Sequence, residues 1–153
     1  MNNRISFELI WILITSLFVG LVMLPVYLNL GMDFPFYIQN IGSIIIAITF
    51  IRYIFLLKHH FFTLHKWFKV AFIFIPIPVF IFLVDVISEF QAFYDEEGIH
   101  SIMKDLSYQT QRSMSTYIRT EVVFFWTAAM ISTIFLPIRM IISLWREINK
   151  GTH

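Results

Sequence analysis

Four apolar stretches, each long enough to cross a lipid bilayer as a helix, constrain this chain more than any other feature of its sequence. They run at about residues 7–28, 36–57, 68–88 and 122–144. A helix needs about 20 mostly apolar residues to cross the hydrocarbon core of a bilayer. We therefore predict an all-α membrane protein, with four transmembrane helices in a bundle and a single integral membrane domain over residues 1–153.

The composition agrees with this prediction. Hydrophobic residues make up 58% of the 153 residues and charged residues 14%, against about 45–50% and about 25% in soluble domains. The lipid bilayer is therefore the first expected partner. A net charge of +1 gives no reason to expect nucleic acid. The chain has no cysteine, so thiolate metal sites and covalent haem attachment are excluded, and we expect no cofactor.

Lysines and arginines near the ends of the spans predict the orientation, because cytoplasmic loops collect these residues. The connection between spans two and three holds Lys58 and Lys66, and the C-terminal tail holds Arg146. The connection at 29–35 has no basic residue, and in the connection at 89–121 the basic residues are outnumbered by acids. We predict a multi-pass protein of the plasma (inner) membrane with both termini in the cytoplasm.

The outer connection between spans three and four is long enough to hold structure of its own. Apolar residues recur at helical spacing at Ile99, Ile102, Met103 and Leu106. This pattern predicts a short amphipathic helix lying on the outer surface of the membrane. The polar stretch that follows, residues 107–116, is predicted to be a turn or a mobile stretch.

Three histidines in the connection between spans two and three, His59, His60 and His65, are weak candidates for a metal site. Helical ligand pairs are usually four residues apart, so that both rings share a face. His60 and His65 are five apart and would diverge by more than about 100° on a helix. This segment contains no Asp, Glu or Cys. We therefore predict an interfacial basic hairpin without a metal, with binding of anionic lipid headgroups as an alternative.

Ionisable residues within the spans are costly and are candidates for function. One group, predicted near the cytoplasmic side, consists of Glu8, Arg52 and Arg139. The two arginines could reach the headgroups with their long side chains, which is known as snorkelling. They could instead form a buried bridge with Glu8, or line a pocket for an anionic substrate.

A second group, predicted near the outer side, consists of Asp85, Glu89 and Glu121. Asp85 and Glu89 are four residues apart and share one face of span three. Because a short acidic side chain cannot snorkel far, Asp85 is expected to point into the bundle or into a water-filled vestibule. The group could relay protons or cations, or it could be a solvated helix end. Arg119 is close enough in sequence to pair with one of these acids.

Prolines and small residues suggest where the spans bend and pack. Pro76 and Pro78 fall near the middle of span three, where proline removes backbone hydrogen bonds and bends a helix. Span four contains Ala128 with Ser132 and Ala129 with Thr133, pairs of small residues that let helices approach closely. These pairs could pack inside the bundle or contact another subunit.

The chain contains no G-x-S-x-G motif, no H-E-x-x-H motif and no glycine-rich phosphate loop, so we do not expect an enzyme. The function expected from the sequence is that of a structural or accessory subunit of a membrane complex. A small homo-oligomeric transporter or channel for an ion or small solute is the main alternative. A membrane enzyme acting on a lipid or a lipid-linked substrate is the third.

Overall fold

A computed structural model describes residues 3–57, 66–96 and 98–149, and within these ranges all regular structure is helical. Four stretches are long and apolar enough to cross a membrane, which confirms the predicted all-helical architecture with four potential spans. The helices are α1 (Asn3–Leu30), α2 (Tyr37–Leu56), α3 (Lys66–Phe74), α4 (Pro76–Glu96) and α5 (Tyr108–Asn149), with a 3-10 helix at Ile99–Ile102.

The third span is divided at Ile75 into α3 and α4, where the sequence has Pro76 and Pro78. Neither proline has an N–H group, so the carbonyls of Phe72 and Phe74 lose their usual helical donors. Proline is favoured in the first turn of a helix, where its missing N–H is not needed, and α4 begins at Pro76. The prolines of the first and fourth spans, by contrast, lie inside continuous helices.

The segment before the fourth span differs from its prediction. Residues 107–116 do not form an independent turn, because α5 begins at Tyr108 and continues for 42 residues. Ser107 caps the helix, with its hydroxyl accepting a hydrogen bond from the backbone N–H of Thr110 at 3.3 Å. The helix is about 63 Å long at 1.5 Å per residue, about twice the thickness of the hydrocarbon core.

The predicted amphipathic surface helix is also absent from the structure of residues 98–107. The four-residue 3-10 helix Ile99–Ile102 takes its place, and Ile99 and Met103 are buried in the protein core. Their apolar side chains pack against α5 on the series Met114, Ile118 and Val122, which recurs every four residues. The apolar pattern in this connection therefore reflects packing on α5 and not contact with a membrane surface.

The helices pack around α5, which contacts each of the others, and its most extensive contact is with α2. Ala47 of α2 and Ala129 of α5 are both buried at the middle of this contact, together with Leu83 of α4. Small side chains allow the two helix backbones to approach closely. Ser132 and Thr133 are also buried, so this part of the small-residue face packs inside the chain and does not form an outer contact surface.

Candidate functional site

The first group of predicted residues contains a buried ion pair between α1 and α2. The Arg52 Nη2 atom lies 2.8 Å from a carboxylate oxygen of Glu8, and each residue is only 9% exposed. The Arg52 guanidinium also lies 5.8 Å from the ring centre of Trp11 and 5.1 Å from that of Tyr53. Arg52 is therefore held inside the protein by a carboxylate and two aromatic rings, which favours the buried bridge over snorkelling.

Arg139 does not join this pair. Its Nε donates a hydrogen bond of 3.0 Å to the carbonyl of Ile54, which is one of the last four residues of α2. The last carbonyls of a helix have no donor within the helix, and a cation at this end also favours the helix dipole. Arg139 thus links α5 to the end of α2 through the backbone, and the three predicted residues do not form one cluster.

A second ion pair at the same end of the protein was missed by the sequence analysis. Lys69 of α3 is buried, and its Nζ lies 2.6 Å from a carboxylate oxygen of Glu147 in α5. In the sequence, Lys69 is only a basic residue just beyond the connection between spans two and three. Its partner is 78 residues away, and no local pattern links the two positions.

Glu121 is the buried acid of the second predicted group, and its partner is Asn40 of α2. The Asn40 Nδ2 atom donates to both carboxylate oxygens, at 2.9 and 2.7 Å. Glu121 is 6% exposed and Asn40 is fully buried. Among the described residues, the Asn40 Oδ1 atom and the Trp126 Nε1 atom have no hydrogen-bond partner. The interior at this end is therefore polar but incompletely satisfied.

Asp85 and Glu89 are both exposed on α4. Asp85 therefore does not point into the bundle of this chain, while the water-filled vestibule and the solvated helix end stay predictions. Leu83, Val86 and Phe90 form the buried face of this helix. The guanidinium of Arg119, a residue close enough in sequence to pair with one of the acids, lies 5.4 Å from the ring centre of Tyr94.

The two buried polar pairs on α2 are separated by an apolar layer. Asn40 and Arg52 are twelve residues apart, or about 18 Å along the helix. Ala47, Leu83 and Ala129, none more than 2% exposed, occupy the level between them. The described part of a single chain therefore offers no continuous polar path along its core from one pair to the other.

The predicted metal candidates His59, His60 and His65 lie outside the described residues. Within the ranges that the structure describes, no three His, Asp or Glu side chains are grouped so that they could hold a metal ion. Comparisons of the chain with protein families, characterised proteins and solved structures found no match.

The Glu8–Arg52 pair gives a stability prediction. Glu8→Ala leaves a buried guanidinium without its carboxylate, and we expect the free energy of unfolding to fall by about 3–5 kcal/mol. Denaturant unfolding in detergent micelles, followed by circular dichroism, measures this change. Glu96→Ala, at an exposed position near the end of α4, is the control and should change stability by less than about 0.5 kcal/mol.

A double variant tests whether the loss comes from the stranded charge. Glu8→Ala combined with Arg52→Leu replaces the whole pair by apolar groups, which is often close to neutral for a buried bridge. We expect the double variant to regain most of the lost stability. Equal stability of Glu8→Ala and the wild-type protein would contradict the assignment of a buried bridge.

Proposed function

We propose that this protein is a structural or accessory subunit of a membrane protein complex, and that one face of α4 binds its partner. Its four long apolar helices are compatible with a small integral membrane protein. The proposal rests mainly on the exposed position of Asp85 and Glu89 on the third span.

The two acids belong to an exposed line of residues on α4, here called the acidic stripe. It consists of Ile77, Ile81, Asp85 and Glu89, which recur every four residues and are all exposed. Asp85 lies eleven residues before Glu96, about 16 Å from the end of the helix. Charged groups on membrane helices are costly when they face lipid, and they usually face protein or water.

The acids of α1 and α5 contrast with the acidic stripe on α4. Glu8 pairs with Arg52, Glu121 with Asn40 and Glu147 with Lys69. Within the described part of the chain, no ion pair or hydrogen bond involves the carboxylates of Asp85 and Glu89. A membrane helix that carries lysine or arginine at the same depth would supply the missing cation, and this is the partner that we propose.

The interior of the chain supports a structural role over transport by a single copy, because Ala47, Leu83 and Ala129 fill the level between the two polar pairs. The proposal also assigns no catalytic role, since Glu8, Arg52 and Glu121 are each engaged with another residue of the chain.

A small homo-oligomeric channel or transporter is the second candidate, and the acidic stripe is the observation that favours it. If several copies associated with this face toward a common axis, Asp85 and Glu89 of each copy would line a polar path for cations. The difference between the two proposals is therefore the identity of the group that covers the stripe.

We further propose that both termini lie in the cytoplasm and that the protein resides in the plasma (inner) membrane. The start of α3, with Lys66 and Lys69, lies beside the end of α5, with Arg146. The Lys69–Glu147 pair joins the two helices there. Basic residues at the ends of spans favour the cytoplasmic side.

Neutralising the acidic stripe should release the partner. We expect Asp85→Asn with Glu89→Gln to lower recovery of the co-purifying protein in mild detergent by at least about ten-fold, because breaking a buried charge pair costs more than the 1.4 kcal/mol of a ten-fold change. Quantitative mass spectrometry of the purified complex measures the recovery.

The matched control is Asp95→Asn with Glu96→Gln, which removes the same charge from exposed positions at the end of the same helix. It should leave recovery of the partner unchanged. Equal recovery with both double variants would show that the acidic stripe is not the contact surface.

Reconstitution in liposomes separates the two candidate functions. For a structural subunit, we expect proton and sodium flux with the purified protein to equal that of protein-free liposomes, measured with fluorescent indicators under an imposed gradient. A flux above this background that is abolished by Asp85→Asn would support the homo-oligomeric channel instead.

The orientation can be tested by labelling, because the natural chain has no cysteine. We expect a cysteine at exposed His100, in the 3-10 helix, to react with a membrane-impermeant maleimide in intact cells. A cysteine at exposed Asn149, at the end of α5, should react only after the cells are permeabilised. The reverse pattern would invert the proposed topology.

A further inference from the structure

A groove between α1 and α2 combines an apolar wall with an arginine at one end. Its volume is about 330 Å³, and its apolar lining includes Ile12 and Val19 of α1 and Ile45 of α2. Arg52 also lines this groove. The groove exists because α1 packs lightly against the other helices. Only 17% of the residues in an apolar 18-residue stretch of α1 are buried.

Arg52 has hydrogen-bonding capacity that the protein does not use. Its Nη2 is bound by Glu8, but its Nε is buried and has no acceptor among the described residues. Arginine is permanently charged and has five N–H donors. Phosphate oxygens are among the preferred acceptors of its charge-assisted hydrogen bonds. Because Arg52 lines the groove, a guanidinium N–H other than the buried Nε is the group suited to a ligand with acceptor oxygens.

Hydroxyl groups extend the polar character of the groove. Thr49, one turn before Arg52 on α2, and Thr15 and Ser16 on α1 also belong to its lining. These side chains can accept or donate hydrogen bonds. Thr49 lies next to Arg52 and can contact the oxygens of a ligand held there, whereas Thr15 and Ser16 lie about 10–12 Å deeper, counted along α1 from Glu8.

The position of Arg52 along α2 corresponds to the headgroup depth of one membrane leaflet. Arg52 is four residues from Leu56, the last residue of α2, and so lies about 6 Å from the helix end. Ile45 is seven residues further back, about 10 Å deeper. The interfacial region of a bilayer is about 5–7 Å thick on each side, which places Arg52 near its boundary with the hydrocarbon.

We propose that this groove is a binding site for one glycerophospholipid of the adjacent leaflet. A phosphate or glycerol ester oxygen accepts a hydrogen bond from Arg52, and one acyl chain lies along Ile12, Val19 and Ile45. Because Glu8 already balances the charge of Arg52, the site recognises these oxygens and not a net negative charge. Phosphatidylglycerol and phosphatidylethanolamine should therefore both bind.

A second groove provides a matched control. It lies between α2 and α5, has a volume of about 550 Å³, and is lined by apolar residues with Ser132 as the single polar exception. No charged side chain lines it. Ile131 of this second groove is 50% exposed, and Ile45 of the proposed lipid site is 42% exposed. Replacing either isoleucine by tryptophan adds the same side-chain volume to an apolar groove wall.

Native mass spectrometry of the full chain, released from mild detergent with added phosphatidylglycerol or phosphatidylethanolamine, tests the site. We expect the wild-type protein to retain one lipid of either type. Ile45→Trp should weaken retention of that lipid by roughly ten-fold, and Ile131→Trp should leave it unchanged. Equal retention by the wild-type protein and Ile45→Trp, or equal losses in the two tryptophan variants, would overturn the proposal.

Two further measurements identify the part of the lipid that the site recognises. Thr49→Val leaves the Glu8–Arg52 pair intact, and we expect it to weaken lipid retention by a few-fold, a smaller loss than that of Ile45→Trp. Inorganic phosphate at millimolar concentration should not displace the bound lipid, because it lacks the acyl chain that fills the groove. Displacement by phosphate, or full retention in Thr49→Val, would overturn the assignment of a phospholipid site with these contacts.

Discussion

A charged group in a membrane-spanning helix needs a partner of opposite charge or a hydrogen-bonding group, and this requirement determines which helices of this protein are neighbours. Glu8–Arg52 joins α1 to α2, Glu121–Asn40 joins α5 to α2, and Lys69–Glu147 joins α3 to α5. Lipid chains and apolar side chains solvate a helix almost equally well, so apolar contact alone selects neighbours only weakly. The polar pairs supply this selectivity, and each involves positions far apart in sequence.

The same requirement applies to the backbone, and it explains the different outcomes at the prolines. A proline in a membrane helix is tolerated where other groups satisfy the freed carbonyls. Pro25 removes one donor, that of the Leu21 carbonyl; nearby, the Tyr117 hydroxyl donates a hydrogen bond of 2.7 Å to the Val22 carbonyl, and the Asn29 side chain donates one of 2.8 Å to the Pro25 carbonyl. The helix continues there. Pro76 and Pro78 remove two donors within three residues, and the third span is interrupted between α3 and α4.

The sequence predicted those features that depend on local composition. Runs of apolar residues give the four spans because their length and hydropathy are properties of each segment alone. Glu8, Arg52 and Glu121 were identified for the same reason, since an ionisable residue in such a run is conspicuous. Their partners were harder to find: Asn40 of the Glu121 pair is 81 residues away, and its role depends on which helices touch.

Helix rotation and helix ends were the other features that the sequence did not determine. Asp85 and Glu121 are both acids near one end of a span, yet one is exposed and the other buried. This difference depends on how α4 and α5 are turned against α2, which the apolar composition of both faces of α4 does not reveal. The early start of α5 depends on a single cap at Ser107 and on a buried series that continues through a polar segment.

The two sites proposed for partners outside the chain have opposite chemistry. At Arg52 a guanidinium lines an apolar groove, and phospholipids of the adjacent leaflet carry acceptor oxygens at that depth. At Asp85 and Glu89 the surplus is negative charge on an exposed helix face. Membrane surfaces are neutral or anionic, so lipid does not compensate this charge as lysine or arginine of a protein does. This difference in chemistry is the reason for proposing a lipid at the α1 side and a protein at the α4 side.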